Sequence, residues 1–148
     1  MATSEAIARR ALGWGAAAPL LSADDLVRDI ALVPREDGSL DLACVAGPAN
    51  LGQDLALALT TRLGADPLDS GFGFDGMTAL VVETSTTMVR ERLRASVAKL
   101  VARDPRVRSV NVVEIDDAVS LATRTLSLRV EVNTIVGSGA SLATVLPG

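Results

Sequence analysis

The chain has 148 residues, 49% of them hydrophobic, and a formal net charge of −4 from 14 basic and 18 acidic side chains. That is enough chain for one domain with a proper core and no disulfide or metal staples. The acidic balance argues against counterion-release binding of nucleic acid; aromatic residues make up 2%, and Tyr and His are absent, which argues against base-stacking platforms and against imidazole as general base or zinc ligand.

Met1 to Leu21 carries Arg9 and Arg10 ahead of an Ala-rich stretch, but Gly13, Gly15 and Pro19 interrupt it before a signal-peptide core could form. It reads as an N-terminal extension (1–21), partly helical or disordered, with Trp14 as a candidate docking residue. The single domain is expected over 22–136. No segment reaches the ~20 apolar residues of a membrane span, so neither membrane nor nucleic acid is an expected partner.

Two apolar runs, Leu26 to Val33 and Leu40 to Val45, flank Pro34-Arg35-Glu36-Asp37-Gly38-Ser39. Pro and Asp-Gly are turn chemistry, and the pair predicts an antiparallel hairpin. The single cysteine, Cys44, is expected as a small buried core residue. Asn50 is placed to cap a helix with Leu51, Leu55, Leu59 and Leu63 on one stripe, stopped by Gly64 with Pro67 beyond. Asp66 to Gly76 holds Phe72 and Phe74 among glycines, as a loop pinned by aromatics or a tight turn. Met77 to Glu83 is open between a short helix and a strand.

Thr84 to Arg103 is the clearest helix, with Val89, Leu93, Val97, Leu100 and Val101 on one face. Pro105 ends it, because the residue before a proline is pushed out of the α region. The β-branched Val107 to Ile115 follows as a strand with almost no loop, and Asp116 to Ala122 reads as a turn. In Thr125 to Thr134, Leu126, Leu128, Val130 and Val132 alternate with outward Arg129 and Glu131. Gly137 to Gly148 (137–148) loses periodicity and is expected as a flexible tail. The predicted fold class is α+β: a small, mostly antiparallel sheet packed against helices on one face.

Catalytic readings find little support. Glu83, Asp104, Glu114, Asp116 and Asp117 are the candidate acids for glycoside hydrolysis, but no pair is set in a credible cleft and few aromatics could line one. Gly137-Ser138-Gly139-Ala140-Ser141 lacks the pattern of a nucleophile elbow or phosphate loop, with no His to activate a serine. The expectation is a non-enzyme with no cofactor and no bound metal.

Three places carry a family likeness: Asn50-Leu51-Gly52-Gln53-Asp54-Leu55 leading to Leu63-Gly64; Asp66-Pro67-Leu68 with Gly71-Phe72-Gly73; and Asp104-Pro105-Arg106-Val107 between a helix and two antiparallel strands. On these the chain resembles the baseplate-wedge, or sheath-initiator, family of contractile phage tails and injection systems, whose wedge proteins have at times been labelled lysozymes. Asp104 stands where that family has Glu, and Gly64-Ala65-Asp66 replaces its Gly-Glu-Arg. The resemblance implies a domain similar to the sheath interlocking domain and a structural role in a sixfold baseplate. It implies sheath protein and other wedge proteins as partners, a tube or tube-initiator protein as a further neighbour, assembly in the bacterial cytoplasm and residence in the particle. Asp104, Pro105 and Arg106 would dock on a wedge partner, and the strand bearing Leu126, Leu128, Arg129, Val130, Glu131 and Val132 would offer an edge to sheath arms. On that reading Arg106→Ala should leave stability nearly unchanged. The competing reading is a soluble α+β adaptor or regulatory binding module unrelated to tails.

Overall fold

A computed structural model describes residues 3–19, 28–76, 86–116, 125–137 and 139–147. In chain order it contains α1 (Ser4–Leu12), β1 (Trp14–Ala16), β2 (Leu32–Pro34), β3 (Leu40–Leu42), β4 (Cys44–Ala46), α2 (Pro48–Thr60), α3 (Thr86–Ala102), β5 (Val107–Asp116), β6 (Thr125–Thr134) and β7 (Gly139–Pro147). The fold is α+β. A three-stranded antiparallel sheet ordered β5-β6-β7 is covered on one face by α2 and α3, and two small ribbons, β1-β4 and β2-β3, complete it.

The core lies where the apolar stripes of the helices meet the inward residues of the sheet. Leu51, Leu55, Ala56 and Leu59 of α2 and Leu93, Val97 and Val101 of α3 pack with Leu128, Val130 and Val132 of β6 and Leu142 of β7. Their i, i+4 and i, i+2 spacings put each set on one face of its element. Phe74 closes the far end of α2, almost fully buried, with its backbone N–H donating 2.8 Å to the Thr61 carbonyl. Gly73 permits this approach: at φ 109°, a Cβ there would lie 2.6 Å from the Arg62 carbonyl oxygen.

Five expectations need correction. The segment 139–147 is a strand, not a flexible tail: β7 pairs with β6 in unbroken register from Asn133↔Gly139 to Thr125↔Pro147. Ala140, Leu142 and Thr144 turn inward, but the alternation is muted by small and weakly polar residues, so it carries little hydrophobic contrast. The N-terminal stretch is not an appendage either. Leu12 is fully buried in the core, and β1 pairs with β4.

The run Leu40 to Val45 is not one strand of one hairpin. β3 pairs with β2 through the turn at Arg35 to Ser39, and the chain then changes partner at Ala43, whose N–H donates to Ala31 and whose carbonyl accepts from Ala17. That short ribbon leaves Leu32, Val33, Leu40 and Leu42 exposed, and Cys44 is exposed rather than core. Finally, α2 begins at Pro48, two residues before the expected cap, because proline is well suited to the first helical position. Asn50 is therefore inside the helix and buried, and Leu63 lies past its end. Met77 to Glu83 and Asp117 to Ala122 fall outside the described residues, and no helix among the described residues is long and apolar enough to cross a membrane.

Candidate functional site

The Asp104-Pro105-Arg106 corner forms as its sequence dictates. Helix α3 closes with the Asp104 N–H bonded to the Val101 carbonyl, and the Val107 N–H bonds back to the Asp104 carbonyl as β5 begins. Asp104 also accepts the Arg106 backbone N–H at 2.9 Å, an Asx-type turn.

The Arg106 side chain points into the molecule, not toward a docking partner. Its Nε and Nη2 donate to the two oxygens of Asp104 at 2.9 and 2.7 Å, the bidentate arrangement that suits a guanidinium. Its Nη1 donates to Asp54 Oδ2 at 2.7 Å and to the Leu12 carbonyl at 3.0 Å. Asn50 Nδ2 donates to the same two acceptors, at 3.1 and 3.3 Å. The Leu12 carbonyl is at the C-terminal end of α1, where a cation is favoured by the helix dipole. Gly13 follows at φ 85°, and a Cβ there would meet Asn50 Nδ2 at 3.3 Å.

Burial by itself would raise the Asp104 pKa, but the hydrogen bonds and charge of Arg106 outweigh it and hold the carboxyl below its ordinary value. The Asp104 and Asp54 pairs raise the Arg106 pKa further above its already high value. One helical turn along, Gln53 completes the staple: its Nε2 donates to the Ala16 carbonyl at 2.9 Å and its Oε1 accepts the Ala18 N–H at 2.7 Å. Two motif blocks distant in sequence thus share one polar cluster, and what they hold is the N-terminal segment. Sequence reasoning identified Asp104 and Arg106 but missed Asn50, Gln53 and Asp54 as their neighbours. Only Pro105 of the corner is plainly exposed.

The strand expected to offer a free edge does not have one. β6 is the central strand, paired with β5 on one side and β7 on the other along its length. Leu128, Val130 and Val132 are buried, and Leu126 packs against the core. Arg129 and Glu131 lie on the outer face, where Arg129 reaches Glu131 at 2.5 Å and Glu114 at 3.9 Å. The side chains of this strand are therefore core or solvated sheet surface, and among the described residues the outermost strands of the sheet are β5 and β7.

The two edges differ. β5 has register shifts at Val107/Ser109 and Val110/Val112, and its Val113 carbonyl accepts Arg94 Nε at 3.1 Å. β7 is regular and carries no charged residue. Among the described residues a groove of about 350 Å³ is lined by β7, the N-terminal half of α2, Val45, and Ala17 to Pro19 with Arg28. Of the acids considered for hydrolysis, Glu83 and Asp117 fall outside the described residues, Glu114 is on the outer sheet face and Asp104 is tied to Arg106. No group of His, Cys, Asp and Glu among the described residues could hold a metal ion. No protein-family model matches the chain, and no curated protein matches it.

Proposed function

We propose that the chain is a structural subunit of a contractile tail or injection system, joining the baseplate wedge to the first sheath ring and starting sheath assembly by β-strand addition. The observation that supports this is a sheet covered by helices on one face, whose outer strands β5 and β7 have no further strand partner among the described residues. Such an edge is a row of backbone donors and acceptors ready for another chain. Each hydrogen bond of an added strand contributes roughly 0.5–1.5 kcal/mol net, so a few arms could hold a ring while the rest of the sheath moves. The inward Arg106 cluster serves this role as a rigid base, fixing the N-terminal segment, α2 and the start of β5 to one another.

On this reading the partners are the sheath protein and neighbouring wedge proteins, assembly takes place in the bacterial cytoplasm, and the chain has no catalytic part in the particle. The test is removal of the chain from the producing cell, with particles viewed by electron microscopy. Tubes and baseplates bare of sheath are expected, and restoring the chain should restore the sheath. Sheaths of normal length and anchoring formed without it would overturn the proposal.

A further inference from the structure

The run 40–46 alternates with its apolar residues on the outside. Leu40, Leu42 and Cys44 are exposed, while Asp41, Ala43 and Val45 between them are partly buried. β2 and β1 follow one another along one edge of this run, with Pro34 opposite Leu40, Leu32 opposite Leu42 and Trp14 opposite Ala46. Ala43 joins them on that edge, its N–H donating to Ala31 and its carbonyl accepting from Ala17, since both groups of one strand residue point the same way.

Cross-strand partners share a face. Trp14, Leu32, Leu40, Leu42 and Cys44 therefore form one apolar stripe, in which the tryptophan and the three leucines are each more than half exposed. Apolar side chains grouped in this way mark an interaction surface, unlike ones scattered singly. The other face of the ribbon is turned to the domain. There Val45 lines the groove with Ala49 and Gln53 of α2, and so do Pro19 and Arg28, which flank residues 20–27.

The two ends of the stripe carry opposite charge. At the Trp14 end the Arg9 guanidinium lies 5.5 Å from the indole centroid, and a Cβ at Gly47 would stand 3.9 Å from the Arg9 backbone nitrogen. At the other end the turn carries Glu36 and Asp37, while Arg35 is paired with Asp41. Ala43 is midway between Ala46 and Leu40. A two-fold axis at its level lays Trp14 of one copy over Leu40 of the other and brings the Arg9 end of each against the Glu36 end of its mate. The stripe is thus complementary to itself in charge, as a two-fold interface requires. Its acidic tip and the net charge of −4 oppose an anionic lipid surface as the occupant.

We infer that two copies of the chain pair face to face through this stripe, antiparallel, with Arg9 of each copy against Glu36 of the other. The inference stands apart from the role in sheath assembly and uses no sheet edge.

The test is sedimentation of the full chain from about 10 μM to about 1 mM, because a stripe about 20 Å long is at the small end of specific interfaces. A monomer–dimer equilibrium is expected, shifting to monomer with added salt, and alkylation of Cys44 should slow as dimer forms and covers the thiol. Arg9→Glu and Glu36→Lys should each weaken pairing about tenfold or more, since either one places like charges together at both symmetry-related contacts. The chain carrying both should return to within about threefold of the natural one. Trp14→Ser with Leu42→Ser should leave a monomer of nearly unchanged thermal midpoint, as substitutions at exposed positions do.

A monomer across the whole range at low salt would overturn the inference. A dimer that survives the two serine substitutions would place the interface elsewhere and overturn it as well. Should the serine variant lose the ribbon, seen as a lowered midpoint, the charge reversals alone decide: two single variants without effect, or a double variant that does not recover, would overturn the antiparallel pairing.

Discussion

Arg106 joins three parts of the chain through one side chain. It bridges Asp104, Asp54 and the Leu12 carbonyl, and its side chain is 24% exposed. Arg106→Ala would remove the guanidinium from Asp104 and leave Asp54 and the Leu12 carbonyl with only the Asn50 amide, so we expect a loss of about 2–3 kcal/mol in urea unfolding. Arg106→Lys keeps the charge but not the fork and should recover less than half. An unchanged midpoint for the alanine variant would restore the view of Arg106 as a surface contact. Acid offers a second measurement. Because the folded Asp104 pKa lies below its ordinary value, its contribution to stability is present above about pH 4 and is lost as pH falls through the lower folded value. Urea midpoints should fall on acidification below about pH 4, and Asp104→Asn should be less stable at neutral pH with a shallower acid decline. A parallel decline in both proteins would remove Asp104 from the acid response.

Among the elements, β6 and β7 change roles relative to what their patterns suggest. β6 shows the cleaner alternation because one face of a central strand is core and the other is solvent, and its backbone is satisfied from both sides. Arg129→Pro removes an N–H from that ladder and obstructs pairing whichever neighbour it faces. The variant should lose roughly 3 kcal/mol or more, with amide protection falling across β5, β6 and β7 together in hydrogen exchange. A cooperative transition at the wild-type midpoint would show the sheet to be less continuous than it is here. β7 takes the edge position, where a strand needs fewer large apolar residues because it has one neighbour and one helix, α2, to pack against.

For the whole molecule, the N-terminal segment is an integral part of the domain. Leu12 fills the core beside α2, Arg106 and Asn50 hold the end of α1, and Gln53 clamps Ala16 and Ala18. The ribbons β1-β4 and β2-β3 meet at Ala17, Ala31 and Ala43, where three backbone bonds of 2.7–2.9 Å join them. The leucines of β2-β3 are exposed, and Ala17 and Ala18 beside this junction line the groove shared with β7 and α2. The same segment that sequence pattern marks as an appendage thus packs into the domain and lines a groove beside β7 and α2.

The sequence alone determined the fold class, α3, β5, β6 and the body of α2, because each of these has a strong periodic contrast between apolar and polar residues or a proline that fixes its end. It also singled out Asp104-Pro105-Arg106 as a special corner, since that chemistry is local. It did not determine which way Arg106 turns: its partners Asp54 and Leu12 are 52 and 94 positions away, and no local rule links them. Nor did it reveal that 139–147 is a strand, that β6 is central, or that Cys44 is exposed. Those depend on which backbone pairs with which, and a ladder between strands stabilises weakly patterned residues that periodicity cannot recognise. Tertiary structure decided strand order, and with it which strand is central and which are outermost among the described residues.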